Sequence, residues 1–137
     1  MNKNLCVIIA AFALSVPATA SGQTIRLNAT VPFDFVVGES VLPAGEYSIQ
    51  TLDNAGKVVA IRSSSSTGRA LVLSNACRSL AASPRTKLVF HRFGDDYFLA
   101  QIWVEGNDAG REIPASRREK QLAKDFSAQG AVVAARQ

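Results

Sequence analysis

One histidine and two cysteines are all the imidazole and thiol groups that 137 residues supply. A tetrahedral site drawn from His91 and Cys77 would need carboxylates to complete it, so no metal site is expected. Disulfides are excluded as well: Cys6 lies inside an apolar run near the N-terminus, and once that run is removed Cys77 has no partner in the chain. The fold must stand on its core, which the residues after Ala20 suffice to build, because domains of this size bury well over half of their unfolded surface.

Long hydrophobic stretches are missing too. The run from Leu5 to Val16 has twelve residues, short of the roughly 20 that cross a bilayer, so no membrane span is expected. Lys3 precedes it and the small residues Ala18, Thr19 and Ala20 follow in an A-x-A pattern. Residues 1–20 therefore read as a signal peptide cleaved after Ala20, and residues 21–137 as a single β-rich domain delivered to the periplasm or beyond the cell. No cysteine stands just after the cleavage position to take a lipid. Loss of Lys3 leaves fourteen basic against eleven acidic residues. So small an excess allows weak contact with acidic envelope polymers and does not argue for nucleic acid. Nucleotide-cradling glycine patterns and the G-x-S-x-G elbow are absent, so no cofactor and no serine triad are expected.

What is present is strand periodicity. From Ile25 to Val37 every odd position is apolar while Arg26, Asn28, Thr30, Pro32 and Asp34 alternate with them, which places the large groups on one buried face. Pro32 cannot donate to a ladder, so an edge position or a bend is expected there, with separate strands on either side. Leu42-Pro43-Ala44-Gly45 signals a turn into a strand carrying Tyr47 and Ile49, and Asp53-Asn54-Ala55-Gly56 turns the chain again into 57–62. The polar stretch from Ser63 to Gly68 is a hairpin loop by composition and Arg69 to Ser74 a further strand. Residues 75–85 show no period and are expected to be a loop that carries Cys77.

Residues 87–93 and 97–104, joined across Gly94-Asp95-Asp96, give the strongest hairpin signal. It has two apolar faces, with Leu88 and Phe90 on one and Val89 and Phe93 on the other, so something must cover the face that does not meet the core. The C-terminal segment is the expected cover. Ser116-Arg117-Arg118-Glu119 has capping-box spacing, in which Glu119 reaches back to the cap. Leu122, Ala123 and Phe126 then form one stripe of a helix over about 116–129 that Gly130 stops. Residues 130–137 are either a last short strand or a frayed tail. The expected architecture is all-β and mainly antiparallel: a small β-barrel or closed β-sandwich of about seven or eight strands with one C-terminal helix.

Candidate site residues are few. Tyr97 and Trp103 share a parity with Leu99 and Gln101, an aromatic line that either fills the core or floors a ligand pocket with Gln101 as its polar handle. His91 lies mid-strand among Val89, Phe90 and Phe93, a packed or edge histidine in one reading and the base of a hydrolase or isomerase in the other. The Asp/Gly clusters at 94–96 and 105–108 read as plain turns, since neither fits a twelve-residue calcium loop. Asn28-Ala29-Thr30 matches a glycosylation acceptor but falls inside a strand. The charges of 117–124 read as a solvated helix face.

Several blocks together, Val31-Pro32-Phe33-Asp34-Phe35, Leu42-Pro43-Ala44-Gly45-Glu46-Tyr47, Arg92 through Leu99, Ile102-Trp103 and Ile113 through Arg117, resemble a group of uncharacterised secreted β-rich proteins of environmental bacteria. That resemblance implies a signal peptide and a compact β domain, and it transfers no functional residue. Three functions remain open: a non-enzymatic envelope or extracellular module binding a small apolar ligand or a partner chain, a structural protein associating through a strand edge or the helix, and an enzyme built on His91.

Overall fold

A computed structural model of the chain describes residues 24–65 and 67–137; the signal-peptide reading lies outside them. The alternating segment forms β1 (Arg26–Val31), whose buried positions are Leu27, Ala29 and Val31, and the chain bends at Pro32 before β2 (Phe35–Val37). Strands β3 (Ser40–Leu42) and β4 (Gly45–Thr51) follow, with a connection in which the Ala44 N–H donates to Asp34 Oδ1 and the buried Tyr47 hydroxyl donates to the Pro43 carbonyl. After β5 (Val58–Ser63) and β6 (Arg69–Leu73) come β7 (Asn75–Arg78), β8 (Lys87–Phe93), β9 (Asp96–Trp103), β10 (Ala109–Glu112), helix α1 (Arg117–Asp125) and β11 (Gln129–Arg136).

Nine strands run in the order β3-β2-β9-β8-β11-β1-β4-β5-β6 as a nearly closed, barrel-like sheet. The β10 strand adds to the C-terminal half of β9 and carries β7. Every pairing is antiparallel except β2 with β9, where Val36 lies beside Phe98. The interior is filled by Leu27, Ile49, Val59, Ile61, Leu88, Phe90 and Ile102, none more than 2% exposed.

Several expectations are corrected. Among the described residues there are eleven strands rather than seven or eight; the sheet is mainly antiparallel as expected, with the one parallel pair making it mixed, and the helix is followed by a final strand. Part of the expected loop at 75–85 is β7, which forms because β10 lies antiparallel beside it from Arg78↔Ala109 to Asn75↔Glu112. Of the two alternatives for residues 130–137 the structure shows the strand: β11 joins β8 to β1, with Ala131, Val133 and Ala135 packed on the core. Pro32 marks a bend, as its missing N–H requires, but β1 is no edge, since it sits between β11 and β4.

The hairpin of β8 and β9 turns in two residues, Gly94 and Asp95, with Gly94 at φ 62° in the left-handed region that a glycine occupies without strain. Helix α1 begins where Ser116, extended at φ −69° and ψ 167°, accepts from the Glu119 N–H. It ends at Asp125, four residues short of the expected limit, because Phe126 turns to extended backbone. Leu122 alone of the expected stripe packs inward, on Val36, Phe93 and Phe98, and it covers part of the second apolar face of the hairpin. Phe126 is 61% exposed.

Candidate functional site

The four residues singled out in the sequence do not form one surface, and a β-bulge is the reason. Register along β8 and β9 shifts between Val89 and Phe90: Val89 pairs with Gln101, yet Phe90 pairs with Leu99, so Ala100 is an extra residue. One added residue inverts every later side chain. Tyr97 and Leu99 consequently face the interior, whereas Gln101 and Trp103 lie on the opposite side with Val89 and Lys87. Tyr97 stacks on Phe33 at 3.7 Å between ring centroids. The Trp103 indole N–H donates to Gln101 Oε1 at 3.0 Å, and its ring lies against Gly110 of β10.

That contact leaves no room for a side chain. A Cβ on Gly110 would stand 2.7 Å from the indole and 2.8 Å from the Ile102 carbonyl oxygen. Gly110→Ala is therefore expected to destabilise the fold by about 1–3 kcal/mol, as overpacking does. The emission of the single tryptophan should shift to the red in the same variant as its ring is lifted into water. Gly130→Ala is the control, since a Cβ there meets nothing within 4 Å.

His91 is placed on the outer face of β8, where its Nδ1 meets Glu119 Oε1 at 2.8 Å. The Glu119 side chain is 8% exposed and that of His91 45%. Glu119 thus departs from the capping-box expectation: its N–H completes the cap through Ser116, but its carboxylate goes to the imidazole and fastens α1 to β8. A second tie, Arg118 Nη2 to Asp96 Oδ1 at 3.1 Å, is more exposed. Replacing Glu119 by Ala keeps the backbone cap and removes the buried bond. The expected cost is about 1.5–3 kcal/mol, the range for hydrogen bonds to charged groups, read from urea unfolding of the variant and of the His91→Ala, Glu119→Ala pair. The pair should cost less than the sum of the single changes, because both remove one contact.

The described residues contain no group of three or more His, Cys, Asp or Glu able to hold a metal ion. Cys77 is half-buried on β7. Burial first and then the charge of Glu112 push its thiol above the usual range, with Arg111 and the Gly110 backbone opposing, so it is protonated and a poor nucleophile near neutrality. Burial, assisted by Asp34, also raises the Tyr47 phenol. No helix among the described residues is long and apolar enough to cross a membrane.

A different surface carries groups with unmet demands. Across the outer face of the sheet the register sets Arg136, Asn28, Ser48, Arg62 and Arg69 in one row over β11, β1, β4, β5 and β6. The neighbouring rows are Arg26-Gln50-Ala60-Leu71 and, beyond it, Val58-Leu73 with Leu52 at the end of β4. Leu71 and Leu73 are 68% and 69% exposed, and Leu52 51%. Here β6 ends the sheet. The Ser63 N–H donates to the Gly68 carbonyl and the Ser74 N–H to that of Lys57, which fixes the phase of the ladder. Ala70 and Val72 present their backbone groups to β5, while those of Arg69, Leu71 and Leu73 point to the open edge. Arg111 closes the far end by donating to Ser74 Oγ and to its carbonyl oxygen, at 2.9 and 2.8 Å.

Comparison with known proteins adds nothing to this surface. No family model, no curated protein and no solved structure matches the chain.

Sequence reasoning recognised β6 as a strand but assigned no role to Leu71 and Leu73. The signal was there, because both parities of Ala70-Leu71-Val72-Leu73 are apolar and one of them had to face outward. Which parity that is depends on pairing with β5, and pairing is not written in β6 itself.

Proposed function

We propose that this chain is an exported, non-enzymatic module that holds a partner polypeptide by strand addition along the open edge of β6. The observation that carries this reading is the coincidence, on one strand, of unpaired outward backbone groups and two leucines more than two-thirds exposed. Natural sheets blunt their edges with charge, proline, brevity or a covering element. The other terminal strand, β3, is three residues long. By contrast β6 has five residues and a single charge, Arg69. Extended partners bind such edges through main-chain hydrogen bonds and take their specificity from alternate side chains. Export rests on the leader pattern of residues 1–20. A partner chain is preferred to a small apolar ligand because Tyr97 and Trp103 lie on opposite sides of the sheet, each packed on groups of the chain itself.

The test is a proline. Leu71→Pro removes one outward N–H and leaves the β5–β6 ladder its donors. A photo-crosslinker placed at Leu73 in the host cell should give a discrete adduct in the parent chain and none in the proline variant, while both chains melt cooperatively. An adduct of unchanged yield in the folded variant would remove strand addition at β6.

A further inference from the structure

The charges beside the open edge say what an incoming strand carries. Arg62 and Arg69 are directly opposed on β5 and β6, both exposed. Like charges directly opposite on neighbouring strands repel, and neither guanidinium has an ion-pair partner among the described residues. The residue beside Arg62 on β4 is the neutral Ser48. Glu46 lies one row away on β4, where its carbonyl accepts from the Ser64 N–H, and it forms no ion pair with Arg62. Between the two arginines and the turn lies an open depression of about 410 Å³ lined by Arg62, Ser63, Thr67, Gly68 and Arg69. The next two outward positions along the same strand are Leu71 and Leu73.

We infer that the β6 edge receives an extended acidic-apolar peptide segment, antiparallel to β6, that sets apolar side chains opposite Leu73 and Leu71 and an Asp or Glu opposite Arg69. The inference rests on the strand-addition reading and supplies its chemistry. Side chains of an added strand repeat every second residue on one face, so the segment reads apolar-x-apolar-x-acidic from its N-terminus. Its carboxylate enters the depression and meets both guanidiniums, the outer one through a direct cross-strand pair. The antiparallel sense follows the rest of this part of the sheet and gives the better ladder.

Two other occupants fit less well. A second copy paired β6 to β6 about Leu71 would set Arg69 against Leu73 of the other chain and gather four arginines on one face without a carboxylate. Residues 1–23 contain no Asp or Glu, so they do not supply the acidic position.

The experiment uses the mature chain and three probes: a capped peptide of alternating threonine and valine with glutamate at the acidic position, the same peptide with lysine there, and a sulfated polysaccharide. Amide exchange of Arg69, Leu71 and Leu73 reports strand addition, and the ratio of affinities reports charge selection. The glutamate peptide is expected to protect these amides and to bind about tenfold tighter than the lysine peptide, a ratio that Arg69→Glu should invert. Equal protection by both peptides would overturn the acidic preference and leave strand addition standing. Protection by neither would overturn both. Sedimentation as a dimer that protects the same amides without peptide would make the second copy the occupant. Shifts at Arg62 and Arg69 with the polysaccharide, and none with the glutamate peptide, would make the site one for an anionic polymer. Either of these last results would overturn the inference.

Discussion

A chain ended at Ala128 is expected to lose cooperative folding. The deleted segment is β11, which lies between β8 and β1 and, among the described strands, joins the two halves of the nine-strand path by backbone pairing. Gln129 to Ala134 pair with β8, and Ala135 and Arg136 with β1. Its removal opens two long edges in the middle of the sheet and strips Ala131, Val133 and Ala135 from the core around Leu88 and Phe90. Domains have about 5–15 kcal/mol of stability in total, and losing a central strand consumes a quantity of that order. The truncated chain should show no cooperative thermal transition in circular dichroism. A synthetic peptide of residues 129–137 added in excess should restore one, by mass action on the folded state. A truncated chain that melts close to the full-length protein would show that β11 is dispensable.

The same strand shows where sequence reading stops. Strand β1 is legible because its inward positions are Leu27, Ala29 and Val31 against polar Arg26, Asn28 and Thr30, and the β8–β9 hairpin because a glycine turn joins two apolar runs. In β11 the inward residues Ala131, Val133 and Ala135 are small, and outward Val132 is as apolar as they are. Its period is faint, and what makes it a strand is the gap between β8 and β1, created some forty to a hundred positions earlier in the chain. The bulge at Ala100 is silent for another reason. An inserted residue has no composition of its own, yet it moved Trp103 and Gln101 to the other side of the sheet from Tyr97. Contacts across distance were hidden likewise: the spacing of Ser116 and Glu119 revealed the cap, but not that the carboxylate would choose His91, 28 residues away. Arg62 and Arg69, seven positions apart, became a pair only once the β5–β6 register set them opposite each other.

Phe90→Ala is expected to be the costliest single substitution in the core. Phe90 has no exposed surface and sits where the bulge begins, at the centre of a ring system that ties separate parts of the chain together. Phe33, in the bend after β1, meets it edge-on at 5.0 Å and stacks on Tyr97 of β9. Phe35 of β2 meets it at 5.6 Å and turns its edge to Tyr47 of β4 at 5.1 Å. Truncation to alanine removes the transfer energy of a phenyl group and leaves a cavity walled by rings that cannot all move inward, together about 3–5 kcal/mol. The lost edge contacts, about 0.5–1.5 kcal/mol each, place the cost toward the upper end of that range. Measured by urea unfolding, the midpoint should fall steeply at unchanged slope, because the surface exposed on unfolding is nearly the same. Phe90→Leu fills most of the space and should cost less than half as much. If the alanine and leucine variants unfolded at the same denaturant concentration, the sheet would have to close over the gap, and the aromatic cluster would not be what sets the spacing of β2, β4, β8 and β9.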